Sequence, residues 1–416
     1  MKSTLINIGD ELLIGQVINT NAAKMSQMLI ASGFDVVGVY TIGDSADAIR
    51  NTLTDCLKTS DIVLITGGLG PTKDDITKKV LCDFFHSELY ENEEALENVK
   101  KHLAIRGKEL TPINRQQAWV PRCCTMVNNI LGTAPCMWFE IKETKPAKVV
   151  VSLPGVPFEM ENLMETEVVP RLQHHFQTGS ILNKNILVHG IGESFLSDLI
   201  ESWELALPDN IRLAYLPVPG LMKLRLTARG EDKQPLQKQI DEAVEKLYPI
   251  AGQYIIGEDF ENLSEVVAAR FRAEGLTLSS AESCTGGAIA AKLTAMPGAS
   301  DYFRGSVVSY CNDVKMSALG VQPATLDQHT AVSEETVREM VCGVRKRLDS
   351  DYAIATTGVA GPSGGTEENP VGTVWIGVAS KDNVVARKVH FPGRRAQVIE
   401  RACNEAFAML LRMMNK

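Results

Sequence analysis

A serine on a glycine-rich turn, a lysine five residues behind a tyrosine, and a pair of adjacent aspartates offer the most chemistry in this chain of 416 residues. Ala281-Glu282-Ser283-Cys284-Thr285-Gly286-Gly287 reads as a strand running into a helix. That puts Ser283 on a sharp turn beside the N–H groups a helix start leaves unbonded, where a hydroxyl nucleophile and an oxyanion hole can be built together. A serine hydroxyl needs a base. His329 and His390 lie in loops poor in other polar groups, so Lys315 is the better candidate. Tyr310-Cys311-Asn312-Asp313-Val314-Lys315 follows an apolar strand ending Val307-Val308-Ser309, which brings Tyr310 and Lys315 to the edge of the sheet near Ser283. The lysine must then lose its proton well below about 10.4, through burial or a neighbouring cation.

Two further loops converge on the same edge. Thr357-Gly358-Val359-Ala360-Gly361-Pro362-Ser363-Gly364-Gly365 follows another strand, and its glycines let backbone approach a ligand. Phe391-Pro392-Gly393-Arg394 supplies a guanidinium able to take a phosphate bidentately. Each residue alone has a plainer reading: Ser283 as an N-cap, Lys315 as a solvated helix residue, Tyr310 as a packing residue. Cys284 is an alternative nucleophile, but no histidine is visibly paired with it, which favours a small buried residue. Three loops at strand ends, carrying a nucleophile, a base and room for phosphate, are harder to dismiss together.

The N-terminal third carries a second set. Gly67-Gly68-Leu69-Gly70-Pro71-Thr72-Lys73-Asp74-Asp75 lies between a buried strand and a helix, so its N–H groups can face an anion. Asp74 and Asp75 suit a divalent cation between carboxylates and phosphate oxygens, and Asp10, Glu11, Asp44 and Glu159 end other segments. Acids in a helix first turn also simply suit the macrodipole.

The elements that must position these loops read as α/β. Strands at 4–8, 34–42 and 61–66 alternate with helices at about 21–32, 45–59 and from 75, a doubly wound order that places ligands at strand C-termini. A last strand covers 147–153. From about 171 the order becomes a split βαβ, a KH-like small α+β module with strands at 185–189, 211–215, 222–228 and 254–256 and helices at 193–205 and 235–248. A third part opens with Asn262-Leu263-Ser264-Glu265, a helix start of the capping-box kind, and alternates five strands with helices in a second, separate α/β unit. The expected domains are 1–170, 171–257 and 258–416.

Lys and Arg total 42 against 51 Asp and Glu, a net charge of -9 that works against binding a phosphate backbone. The middle segment holds Gly190-Ile191-Gly192-Glu193 instead of a GXXG clamp, so nucleic acid is not expected as a partner. Nine cysteines form no CxxC pair, which fits a reducing compartment. No apolar run approaches a membrane span, so a cytoplasmic protein without a membrane partner is expected.

The strings AESCTGG, YCNDVK, TGVAGPSGGTEENPVGTVW and FPGRR resemble the nicotinamide mononucleotide deamidase domain found alone and at the C-terminus of CinA proteins. That resemblance, over about 256–416, implies hydrolysis of the carboxamide to nicotinate mononucleotide and ammonia without a cofactor. It makes Ser283 the nucleophile and Tyr310 and Lys315 the proton-handling part, with substrate contacts at Thr285, Gly286, Gly287, Asn312, Gly358, Ala360, Gly361 and Arg394. YCNDVK departs from the commoner YSNEAK at Cys311, Asp313 and Val314 and keeps Tyr310, Asn312 and Lys315. Backbone donors near Gly286 and Gly287 would hold the oxyanion.

GDELLIGQVINTN, GGLGPTKDD and SLPGVPFEM resemble the N-terminal domain of the CinA family, itself similar to molybdopterin-binding domains. For that domain the resemblance implies metal-dependent hydrolysis of ADP-ribose to AMP and ribose 5-phosphate. It assigns ligand contacts to Gly67, Gly68, Gly70 and Thr72, and a divalent ion to Asp74, Asp75, Asp10 and Glu159. GGLGPTKDD is shared with molybdopterin binders and marks a phosphate-bearing ligand more firmly than this reaction. The expectation is therefore a bifunctional enzyme of pyridine nucleotide salvage, paired as a homodimer. The alternative is a molybdopterin-binding or competence-linked scaffold whose first domain catalyses nothing.

Overall fold

Ile62–Thr66 is buried at every residue, as a parallel strand covered on both faces must be. In the computed structural model, which describes every residue except 73, 74, 146, 177, 178 and 416, this strand lies inside a six-stranded sheet. Lys2–Ile8 pairs in parallel with it and with Asp35–Ile42, the edge strand. On the other side Lys148–Leu153 is also parallel, and Cys136–Ile141 and Thr125–Val127 continue the sheet antiparallel.

The period-two alternation of these strands divides the core in two. Leu5, Ile62, Leu64, Val149 and Val151 pack with Met25 and Leu29 of helix Thr20–Ala31 and with Met160 and Leu163 of helix Pro157–Leu163. Ile6, Val63, Ile65 and Val150 face the opposite way, onto Ile49 and Leu53 of helix Ala46–Thr59 and Val80 and Leu81 of helix Thr77–Phe84. This is the doubly wound arrangement that the alternation of elements predicts. Between the last two parallel strands the chain inserts helix Glu93–Ile105, which buries Ala95, Val99 and Leu103 four apart on one face, and the short antiparallel pair Leu89–Glu91 and Trp119–Pro121, none of which the sequence reading placed.

The compact unit that contains the C-terminus comprises residues 183–228 and 237–416. Its smaller sheet has the order Ile211–Val218, Leu221–Gly230, Ser180–Val188, Ile255–Glu258, with helices Glu193–Leu205 and Lys233–Ala251 in the sequence of a split βαβ module. Leu187 and Leu221 of that module enter the same core as Phe271 and Phe407. At this seam the Glu405 carboxyl lies 3.2 Å from His189 Nε2 and accepts from Arg387 at 2.9 Å.

The larger sheet of this unit runs Phe303–Val308, Leu278–Glu282, Tyr352–Gly358, Thr373–Ala379, Val384–His390. The first three strands are parallel and the last two antiparallel. Helices Leu263–Glu274 and Arg395–Met414 contribute Phe271 and Phe407 to one core. Leu319 of helix Asn312–Leu319 and Val337 and Val341 of helix Glu334–Arg347 belong to the other. The parallel strands Leu278–Glu282, Phe303–Val308 and Tyr352–Gly358 therefore release the loops beginning at Ser283, Ser309 and Val359 at one edge. Among the described residues no helix is long and apolar enough to cross a membrane.

Candidate functional site

The turn after Leu278–Glu282 is held in two ways. The Ser283 N–H donates to Thr356 O at 3.0 Å, extending the sheet by one residue. Glu282, wholly buried, turns its carboxyl group back onto the next helix start. It accepts from the N–H groups of Gly287 at 3.0 Å, Ile289 at 3.0 Å and Ala290 at 2.8 Å. These are orphan donors of helix Ala288–Thr294, and an acid there suits both them and the macrodipole. Gly287 can begin the turn because its φ is +101°, a left-handed conformation that costs glycine little.

This network corrects the expected oxyanion hole. The Gly287 N–H is taken by Glu282 and the Gly286 N–H donates to Ser283 O at 3.1 Å. The N–H groups of Cys284 and Thr285 have no acceptor among the described residues.

Lys315 sits on helix Asn312–Leu319 with 1% of its surface exposed. Its Nζ donates to Ser283 Oγ at 3.0 Å and to Ser309 O at 2.8 Å. Desolvation by burial holds the amine below the ordinary lysine value, while the neighbouring thiols of Cys284 and Cys311 act in the opposite sense. With one N–H fixed on Ser309 O, a neutral Nζ can present its lone pair along the axis to Oγ–H. Cys284 is buried, and its thiol is pushed up to about 12, chiefly by desolvation. At neutral pH it is a protonated thiol, so the serine is the better placed nucleophile.

Tyr310 departs from its expected role. Its phenol accepts from Arg395 Nη2 at 2.8 Å, and the side chain is 60% exposed. Among the described residues it makes no hydrogen bond to Ser283 or Lys315. Arg395 also donates through Nη1 to Gly361 O at 2.9 Å. One guanidinium thus ties the tyrosine loop to the glycine loop, a task the sequence reading gave to neither arginine. Arg394 is the N-cap of helix Arg395–Met414 and is exposed, available to an anion. Ala360 is buried and Gly358 half-buried at the end of its strand. Asn312 opens the helix that carries Lys315 and is itself exposed. Thr285 Oγ1 shares a 2.7 Å hydrogen bond with Thr356 Oγ1 and is buried, so it braces the turn.

In the N-terminal unit the loops after Lys2–Ile8, Ile62–Thr66 and Lys148–Leu153 enclose a cavity of about 410 Å³, lined by Glu11, Asp44, Gly67, Gly68, Gly70 and Asp75 among others. Gly67, at φ +107°, passes so close to Ile8 that a Cβ would meet the Ile8 carbonyl at 2.2 Å. Asp75 Oδ2 accepts from the Thr72 N–H at 2.9 Å and from the Thr72 hydroxyl, folding the loop onto itself.

Among the described residues, the expected metal ligands Asp10, Asp75 and Glu159 do not form a cluster that could hold a metal ion. Asp74 lies outside the described residues. Asp10 and Asp44 exchange backbone-to-carboxyl bonds, Asp10 N–H to Asp44 Oδ2 at 3.1 Å and Asp44 N–H to Asp10 Oδ1 at 3.3 Å. Glu159, on helix Pro157–Leu163, is not among the residues that line the cavity, and its Oε2 accepts from Asn129 Nδ2 at 2.7 Å. Among the described residues no group of three or more His, Cys, Asp or Glu stands close enough to hold a metal ion.

Three family models match the chain. The probable molybdopterin binding domain covers 4–174, the damage-inducible protein CinA KH domain 183–257, and the CinA C-terminal domain 260–414. A CinA-like protein of Flavobacterium psychrophilum is 43% identical over 412 residues, 99% of this chain and 98% of that protein. Another, of Chloroherpeton thalassium, is 44% identical over 387 residues, 93% and 92% of the two chains. The crystal structure of a competence-damaged protein (CinA) superfamily protein from Escherichia coli is 37% identical, covers 37% of this chain and 89% of that one, and has a TM-score of 0.36.

Proposed function

This chain belongs to the CinA family, and from that premise we propose that its C-terminal part is a serine amidohydrolase acting on nicotinamide mononucleotide. The observation that carries the reading is the 3.0 Å hydrogen bond between Ser283 Oγ and the buried amine of Lys315. Neutral Lys315 takes the hydroxyl proton as Oγ attacks the carboxamide carbon. The N–H groups of Cys284 and Thr285 hold the oxyanion. The lysine returns the proton to the leaving nitrogen, so that ammonia departs and nicotinate remains as an ester on Ser283. Water, deprotonated by Lys315, then releases nicotinate mononucleotide and restores the serine. The exposed Arg394 takes the 5′-phosphate. Arg395 keeps Tyr310 and the Gly361 loop in place around the ring.

The N-terminal cavity supports, as a second activity, hydrolysis of ADP-ribose to AMP and ribose 5-phosphate. It lies where a doubly wound sheet binds ligands, and the glycine loop brings backbone to its wall. A divalent ion is part of this reading, as a companion of the pyrophosphate. The described acids alone form no cage for it, and no step is built on it. Incubating the full chain with each substrate separately, with and without chelator, and identifying products tests both activities. Ammonia from nicotinamide mononucleotide, lost in Ser283→Ala, is expected; no ammonia from the intact protein would overturn the first reading. No AMP from ADP-ribose with any divalent ion would leave the first domain a binding module.

A further inference from the structure

Glu282 ends a strand one residue before the proposed nucleophile, and none of its surface is exposed. Among the described residues no Lys, Arg or His forms an ion pair with it. A carboxylate in such a place is costly unless hydrogen bonds replace its water. Here backbone does so: Oε2 accepts from the N–H groups of Gly287 and Ile289, and Oε1 from that of Ala290. The hydroxyls of Ser280 and Ser306 stand farther from Oε1, at 3.5 and 3.4 Å. Both oxygens are thus occupied by the chain that follows Ser283. Capping a helix of seven residues does not require this, because a short polar side chain on the turn itself would serve.

The main chain of the same residue reaches toward the base. Glu282 O accepts from the Ser309 N–H at 2.8 Å, Ser309 O accepts from Lys315 Nζ at 2.8 Å, and Nζ donates to Ser283 Oγ at 3.0 Å. The peptide bond from Glu282 to Ser283 closes this path into a ring. The main chain of Glu282 therefore fixes the base side, and its side chain fixes the nucleophile side.

The side chain also decides which donors remain. It takes the Gly287 N–H, and Ser283 O takes that of Gly286, so the turn keeps only the N–H groups of Cys284 and Thr285 for an incoming oxygen. Beside the turn there is room, since a Cβ at Gly286 would meet no heavy atom within 4 Å.

We infer that Glu282 is a positioning residue of the amidohydrolase: by holding the N–H groups of Gly287, Ile289 and Ala290 it fixes the turn so that those of Cys284 and Thr285 meet the oxyanion as Ser283 attacks. The inference rests on the deamidase reading. It assigns the carboxylate an effect on the transition state and none on substrate binding or on the lysine.

The test uses the full chain. Glu282→Gln has one acceptor oxygen where the native residue has two, so at least one of the three N–H groups loses its partner and the turn shifts. Ammonia release from nicotinamide mononucleotide then falls roughly 100-fold in kcat, with KM nearly unchanged. The rise of kcat/KM with pH stays where Lys315 puts it. A folded Glu282→Gln protein that melts lower but keeps its kcat would reduce the carboxylate to a structural brace, and a rise displaced by a unit or more would mean that it acts through the amine. A second measurement needs no variant. Pyridine-3-boronic acid forms a bond from boron to Ser283 Oγ, the hydroxyl proton passing to Lys315, and gives a tetrahedral anion. In the crystal structure of that adduct a boronate oxygen lies within hydrogen-bond distance of the Cys284 and Thr285 N–H groups, with Glu282 still on Gly287. An oxygen seated on the Gly286 or Gly287 N–H, or no adduct at saturating boronate, would overturn the inference. If the adduct forms as described but the intact protein releases no ammonia, the substrate reading falls and the positioning role stands. If ammonia is released and Glu282→Gln matches the parent, the positioning role falls alone.

Discussion

The two candidate sites sit at the same place in related architectures, the carboxyl edge of parallel strands, yet they are built in opposite ways. In the C-terminal part the reacting groups already touch one another: Lys315 on Ser283, Glu282 on the helix start, Arg395 on Tyr310. In the N-terminal part the described acids bond to backbone and to a neighbouring amide: Asp75 accepts from Thr72 within its own loop, Asp10 and Asp44 exchange bonds between two loops, and Glu159 accepts from Asn129. The first can do proton chemistry before any substrate arrives. The second brings glycine backbone and acids to a cavity wall, as a site dominated by binding and charge neutralisation requires.

The largest way to break that comparison is to remove the preformed pair. Ser283→Ala and Lys315→Met should each lower ammonia release roughly 10³-fold or more, with ADP-ribose cleavage unchanged. The lysine also sets a pH signature. A base works only deprotonated, so kcat/KM rises with pH through the Lys315 value, and because burial lowers that value the rise comes below the ordinary lysine range near 10.5. A rise centred at or above 10.5 would mean that another group takes the proton.

Next in size is the adjacent pair of arginines. Arg395→Ala removes two hydrogen bonds of a charged donor and should cost roughly 10- to 100-fold in kcat/KM for deamidation. Arg394→Ala, which loses a flexible exposed contact, should cost several-fold and appear mainly in KM. Equal effects would show that the bridge between the two loops does not matter.

How far these features were legible depends on which physical signal each one leaves in a sequence. Ile62–Thr66 is a continuous apolar run ended by glycines, which marks a buried strand, whereas Leu278–Glu282 is mostly polar and is placed by its position between a helix stop and a glycine-rich turn. Proximity of Lys315 to Ser283 followed from two strands ending at one edge. Glu282 was part of a recognised string but its task was missed; the available signal is an acid closing a strand that is otherwise buried. Arg394 was named and Arg395 passed over, although a helix was expected from about 395, because the bonds of Arg395 to Gly361 O and Tyr310 are long-range contacts that leave no local pattern. The hydrogen bond of Glu159 to Asn129, thirty positions away, was not legible for a similar reason: it depends on the turn of helix Pro157–Leu163 and on a long-range approach of the chain. In the insertion after Ile62–Thr66 the strands Leu89–Glu91 and Trp119–Pro121 have three residues each, too few for periodicity to mark, whereas helix Glu93–Ile105 left a stripe at Ala95, Val99 and Leu103 that was passed over.

A smaller change sharpens the division between the two units. Asp75→Asn keeps the acceptor for Thr72 but removes the charge at the wall of the N-terminal cavity, and should slow ADP-ribose cleavage about ten-fold, with deamidation unchanged. Chelation is expected to do the same on a larger scale and likewise to spare ammonia release. Deamidation that collapsed with chelator would join the two chemistries that the comparison keeps apart.

The smallest expected effect is at Cys284, and it decides which atom attacks. Cys284 follows Ser283 directly and is buried, so on position alone either heteroatom is a candidate. Burial separates them. The thiol is pushed up to about 12, so at neutral pH the sulfur carries its proton, and the Lys315 amine is hydrogen-bonded to Ser283 Oγ. A thiol is nucleophilic as the thiolate, and here the low-dielectric surroundings disfavour that form. Cys284→Ala should therefore keep deamidase activity to within several-fold, with a modest loss of melting temperature from the small cavity left behind. Measured beside Ser283→Ala in the same ammonia assay, it gives a ratio of about a hundred or more if the serine attacks. If the two variants lost activity equally, the hydrogen bond from Lys315 to Ser283 would be a structural brace, and the nucleophile would have to be reassigned to the sulfur.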